Sequence, residues 1–134
     1  MNGILLINKP KDFSSHDVVA KCRGILKTKK IGHTGTLDPD ATGLLVLGVN
    51  QGTKIMKYLN NDEKIYQATV CIGKTTDTLD ATGTVISQKP VTIIENIDQI
   101  LDSFLGVYTQ TPPMYSAIKY KGKRLYEYAR KGIE

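Results

Sequence analysis

The sequence predicts a chain of mixed class, in which helices and strands are both present. Three observations carry that expectation. Ser14 to Leu26 and Thr92 to Leu105 repeat apolar residues at helical spacing. Gly3 to Asn8 and Leu44 to Val49 are short apolar runs with the length and composition of buried strands. Glu63 to Ile72 alternates its side chains with the two-residue period of a strand.

Each element follows from local chemistry. The first strand, Gly3 to Asn8, is ended by Lys9-Pro10. Ser14-Ser15 then offers a helix N-cap, with Asp17 in the first turn where the helix dipole favours an anion. Val18, Val19, Cys22, Ile25 and Leu26 form one apolar face of that helix, and Lys21 and Arg23 lie on the other. Lys27, Lys29 and Lys30 follow, either as cations at a helix C-terminus or as positive charge gathered at the entrance of the next loop. After the Leu44–Val49 strand, Gly52-Thr53 can cap a short helix through Leu59. In the Glu63–Ile72 strand, the face carrying Tyr66, Ala68, Val70 and Ile72 is the more apolar. Gly73 to Gly83 is polar and turn-rich, Thr84 to Ser87 is a partner strand, and Lys89-Pro90 ends it. The second amphipathic helix buries Ile94, Ile97, Ile100, Leu101, Phe104 and Leu105, and Pro112-Pro113 breaks regularity beyond it. Ser116 to Arg124 is a hairpin turning at Lys121-Gly122, and Leu125 to Lys131 is a helix closed by Gly132.

Composition bounds the function. The 134 residues are the size of one ordinary domain, and 40% of them are hydrophobic, enough for a core. Eighteen Lys+Arg against 13 Asp+Glu give a formal charge of +5, which suits a polyanionic partner or a solvated basic surface. Cys22 and Cys71 sit among apolar neighbours and are expected to be free core thiols, with neither disulfide nor metal spacing. No apolar stretch approaches the length of about 18 residues that a membrane span needs, and no leader pattern opens the chain. The expected compartment is the cytoplasm.

The chemistry concentrates in Gly32-His33-Thr34-Gly35-Thr36-Leu37-Asp38-Pro39-Asp40-Ala41-Thr42-Gly43, whose glycines, proline, threonines and aspartates spell an ordered loop. Three other readings fail on spacing. Asp38, Asp40 and Thr42-Gly43 start like a calcium loop, but Val49 stands where a bidentate Glu is required. Gly73-Lys74-Thr75 ends like a phosphate-binding loop, but Ala68 replaces its first glycine. His16 and His33 have no further ligands at zinc spacing, so no metal is expected.

The pattern Gly32-His33-x-Gly35-x-Leu37-Asp38-Pro39-x-Ala41-Thr42-Gly43-x-Leu45 resembles the catalytic signature of the TruB family of RNA pseudouridine synthases. Leu6-x-Asn8-Lys9-Pro10 fits the family's opening block, and Tyr66-x-Ala68 through Ile72-Gly73, Thr76-Asp77-Thr78, Asp80 and Gly83 fits its second. Pro112-Pro113-x-Tyr115-Ser116-Ala117-x-Lys119, Gly122-Lys123, Tyr126-Glu127 and Ala129-Arg130-x-Gly132 fit the third. The resemblance implies an α+β fold, with a mixed, largely antiparallel sheet flanked by helices. It makes residues 1–134 the N-terminal part of the catalytic domain, with roughly residues 90–134 as an insertion that embraces RNA. The remainder of the catalytic domain, including an arginine that pairs with the catalytic aspartate, and a C-terminal RNA-binding domain are expected to be absent. A direct start at the opening block suits the bacterial branch.

The resemblance further implies an isomerase that converts one uridine in the T-loop of transfer RNA to pseudouridine. Asp38 would be the catalytic residue, and His33 and Tyr66 would bind the substrate. By itself His33 is a backbone-bonded loop residue and Tyr66 a core or rim side chain; the resemblance gives both a place on the displaced nucleotide. The reaction needs no cofactor. The partner is the T-arm stem-loop of tRNA, with no DNA, membrane or metal, and the full-length protein is expected to be a monomer. Lys119, Lys121, Lys123, Arg124, Arg130 and Lys131, interleaved with Tyr115, Tyr120, Tyr126 and Tyr128, suit phosphates and unstacked bases, or form a solvated basic hairpin. A non-catalytic RNA-binding fragment is the alternative, and the isolated chain is expected to be inactive.

Overall fold

The computed structural model describes residues 1–59 and 63–133, and the chain divides into two compact units, Met1–Tyr66 and Gln67–Glu134. In the first unit, strands β1 (Gly3–Lys9), β2 (Ile31–His33) and β3 (Gly43–Val49) form an antiparallel sheet in the order β1-β3-β2. Gly3 stands opposite Val49 and Lys9 opposite Gly43, while Ile31 and His33 stand opposite Val49 and Leu47. This register puts Leu5, Ile7 and Lys9 of β1 on the same face as Leu45, Leu47 and Val49 of β3.

Helix α1 (Ser15–Leu26) covers that face. Its start is fixed by a capping box: the Ser14 hydroxyl accepts from the Asp17 N–H at 3.1 Å, and the Asp17 carboxylate accepts from the Ser14 N–H at 2.9 Å. Its end is the left-handed Lys27, φ 49°. Val18, Val19, Ile31, Leu45, Leu47 and Val49 are the buried centre, with Leu5, Ile7, Phe13, Cys22 and Leu26 packed around them. Full burial of such a side chain contributes about 1.5–3 kcal/mol, so this cluster is the main source of the unit's stability. The Arg23 guanidinium donates to the Ile31 carbonyl at 3.1 Å and ties the helix to β2.

Beyond β3 the chain turns through two short 3-10 segments, Asn50–Lys54 and Met56–Tyr58, in place of the expected Gly52–Leu59 helix. Close approach explains the difference. A side chain on Gly52 would collide with the Gly3 carbonyl, and a Cβ on Gly48 would lie 2.5 Å from the Met56 sulfur. The turn is pressed onto the end of the sheet, where a wider α-helix has no room.

The second unit pairs β4 (Lys74–Thr76) with β5 (Val85–Gln88), a short helix α2 (Ile97–Asp102), and a hairpin of β6 (Lys119–Tyr120) and β7 (Lys123–Arg124) followed by α3 (Leu125–Ala129). The hairpin turns at Lys121-Gly122, as the sequence indicates, with φ of 47° and 83° at the two central residues. Three expectations change. The Glu63–Ile72 strand is absent: these residues are exposed and form no sheet ladder among the described residues, and alternation alone does not stabilise a strand without one. The partner of β5 lies instead in the stretch read as turns. The second helix is confined to Ile97–Asp102, because nothing described covers its apolar face. Cys71 is exposed rather than in a core. The class expectation of helices with antiparallel strands holds in both units.

Candidate active site

The loop from Thr34 to Thr42 joins β2 to β3, and the first unit's structure is arranged to hold it. Thr34 N–H donates to the Val46 carbonyl at 3.1 Å, which fastens the loop's start to the sheet. At the loop's centre two buried polar side chains take over. The Lys9 ammonium, on a fully buried residue, donates to the carbonyls of Phe13 at 2.6 Å, Pro10 at 2.9 Å and Pro39 at 3.1 Å. Three acceptors use all three of its donors, which offsets the cost of removing a cation from water. The Pro39 carbonyl also accepts from the Asp12 N–H at 2.9 Å. On the other side of Asp38, the buried Ser15 hydroxyl accepts from the Leu37 N–H at 2.9 Å and donates to the Leu37 carbonyl at 3.2 Å.

Asp38 is therefore bracketed by two anchored neighbours while its own side chain is exposed. Its backbone carbonyl accepts from the Ala41 N–H at 3.1 Å, closing a turn. Among the described residues the Asp38 carboxylate makes no hydrogen bond or ion pair.

His33 ends β2, and its Nδ1 lies 2.7 Å from the Gly35 carbonyl. A carbonyl only accepts, so Nδ1 carries the proton and Nε2 is left available. The loop walls one side of a groove of about 630 Å³ on the sheet face opposite α1. Thr34–Leu37, Thr42 and Gly43 line it, with Leu6, Leu44 and Val46 as an apolar floor and Tyr66 at its rim. Tyr66 and the loop's two arms thus line the same groove. Asp38 lies in the part of the loop between the two lining stretches, and neither it nor His33 lines the groove itself.

Residues 23–134 match the TruB family pseudouridylate synthase (N terminal domain). The chain belongs to the TruB family of pseudouridylate synthases. It is 50% identical over 133 residues to tRNA pseudouridine synthase B of Oceanobacillus iheyensis, covering 97% of this chain and 44% of that protein. It is 49% identical over 137 residues to the protein of the same name in Bacillus subtilis, covering 100% of this chain and 44% of the relative. The chain thus spans less than half the length of these relatives. A solved structure, "Structure of H/ACA RNP bound to a substrate RNA containing 2'-deoxyuridine", overlaps 42% of this chain and 18% of the other, at 38% identity and a TM-score of 0.41.

Sequence reasoning found the TruB loop and missed what holds it. Lys9 ends the apolar run of the first strand, yet it shares the inward register of Leu5 and Ile7, and a charged residue in that register is a signal. Ser15 shares the inward helix face with Val18, Val19 and Cys22, a polar residue at a core position. The basic segment in the second unit is already internally engaged. Lys121 lies 5.2 Å from the Tyr120 ring centroid, and Arg124 and Arg130 lie 5.9 and 5.3 Å from that of Tyr126.

Proposed function

We propose that the protein carrying this chain converts one uridine in the T-loop of tRNA to pseudouridine. The observation that carries the reading is the exposed Asp38 carboxylate, held between anchored neighbours beside a groove edged by Tyr66. The reaction breaks the uracil N1–ribose C1′ bond and joins C5 to the same carbon; C5 loses a proton and N1 gains one. Atoms and electrons balance within the substrate, so no cofactor is required. Asp38 supplies the ionised carboxylate that acts at the ring or the ribose. The uridine must leave its stack to reach that oxygen, at a cost of a few kcal/mol, and Tyr66 offers a ring face to receive it. His33 meets the displaced nucleotide through Nε2.

Residues 90–134 form the RNA-embracing insertion, where guanidinium and ammonium groups held over tyrosine rings face the T-arm backbone. The protein works as a monomer in the cytoplasm. Among the described residues, no helix is long and apolar enough to cross a membrane. A second reading, RNA binding without catalysis, is favoured by the Asp38 carboxylate having no ion-pair partner among the described residues.

Tritium release separates the two. A T-arm stem-loop carrying [5-³H]uridine at the target position should lose tritium to water when treated with the full-length protein. Tyr66→Leu should slow release at least about tenfold while changing RNA affinity little, since stacking on a displaced base is worth about 1–3 kcal/mol. Binding without tritium release by the wild type would favour the second reading.

A further inference from the structure

We propose that Ser15 is a positioning residue for Asp38, setting the reach of the carboxylate through the backbone of Leu37. This rests on the uridine isomerisation proposed above. Ser15 opens α1 on its buried face, and its hydroxyl meets both backbone groups of one loop residue, accepting from the Leu37 N–H at 2.9 Å and donating to the Leu37 carbonyl at 3.2 Å. Those two bonds imitate the exchange that a neighbouring strand would make, on a residue that pairs with no strand. Among the described residues Leu37 has no other backbone partner. Ser15 is 2% exposed, so water does not replace the hydroxyl when it is removed.

The neighbouring anchors show why the effect falls on position rather than on folding. Pro39, on the far side of Asp38, is held independently by Lys9 and Asp12. Thr34 is held by the sheet. Gly35 is held by His33 Nδ1, so loss of the Ser15 hydroxyl frees only the arm from Thr36 to Asp38, and the carboxylate pivots on Pro39. The hydrophobic core and the Pro39 anchor stay in place. A pivot of this kind misplaces the reacting oxygen without altering the surface that holds RNA.

The test is Ser15→Ala and Ser15→Thr in the full-length protein, with single-turnover tritium release, RNA affinity and backbone amide exchange measured on each. Ser15→Ala should slow release about 10- to 100-fold, the scale of a misplacement near 1 Å, with affinity within about twofold of wild type. The Leu37 amide should exchange freely while the Leu45 and Leu47 amides keep their protection. Ser15→Thr, which retains the hydroxyl, should restore both slow Leu37 exchange and most of the rate. Unchanged turnover in Ser15→Ala with an active wild type would overturn the proposal. Loss of protection at Leu45 and Leu47 would overturn it too, by making Ser15 part of the core. A wild type that binds RNA and releases no tritium would instead overturn the reading on which it rests.

Discussion

The two units of the chain are built from similar sequence patterns and reach different ends. In Met1–Tyr66 the apolar face of α1 meets the apolar face of a sheet, and Val19, Leu47 and Val49 are at most 1% exposed. In Gln67–Glu134 no described residue is buried, and α2 leaves Ile97, Ile100 and Leu101 about half exposed or more. The periodicity of Ile94, Ile97, Leu101 and Phe104 is as regular as that of Val18, Val19 and Cys22. A pattern names the face that seeks burial; a covering partner decides whether the element extends to its full length.

The largest expected effect follows from that contrast. Leu47→Ala should cost the first unit about 3–5 kcal/mol, because the side chain is fully buried between helix and sheet. Leu101→Ala, at a position 60% exposed, should cost less than about 0.5 kcal/mol. Chemical denaturation of the 134-residue chain, followed by amide signals from each unit, compares them. Equal losses would abolish the distinction.

The same contrast explains what was legible. Gly3–Lys9, α1 and Gly43–Val49 emerged within a residue or two of their sequence limits, since each has its partner within the same 66 residues. β2 was hidden inside the glycine loop, because three residues of Ile31-Gly32-His33 carry too little pattern to announce a strand. Glu63–Ile72 shows the converse, an alternation with no ladder to join. At the site, the family resemblance is what points to Asp38, His33 and Tyr66, and Lys9 stands in its opening block, whereas the bonds by which Lys9 and Ser15 anchor the loop were not legible. Those bonds reach across 30 and 22 positions of sequence, which no local pattern encodes.

A smaller effect probes the loop's other anchor. Lys9→Met keeps the length of the side chain and removes its three hydrogen bonds. The loss should be about 2–4 kcal/mol of stability in the first unit, since hydrogen bonds to charged groups are worth about 1.5–3 kcal/mol each and methionine recovers part through packing. The second unit's amide signals should not move. Movement there would show that the units do not respond separately.

The smallest effects are electrostatic, one in each unit. The Ser14 hydroxyl, and then the Ser14 N–H, hold the Asp17 carboxyl below its ordinary value of 3.8. The Thr82 hydroxyl, followed by that of Thr78, holds Asp80 down in the same way. A depressed carboxyl favours the folded state above the ordinary value, and that contribution fades as pH falls through the lower folded one. NMR titration of the side-chain carboxyls should find both midpoints beneath 3.8. Asp17→Asn should flatten the acid limb of the first unit's stability alone, and Asp80→Asn should leave that limb unchanged.

The central claim is that an aspartate held by its neighbours' backbone performs the chemistry. Asp38→Asn in the full-length protein tests it directly, because the change removes charge and almost no contact area. Tritium release from the labelled T-arm stem-loop should fall below detection while RNA affinity stays within about 1 kcal/mol of wild type. Release at the wild-type rate would contradict the account, and would place the reacting group elsewhere than the Leu37-Asp38-Pro39 turn.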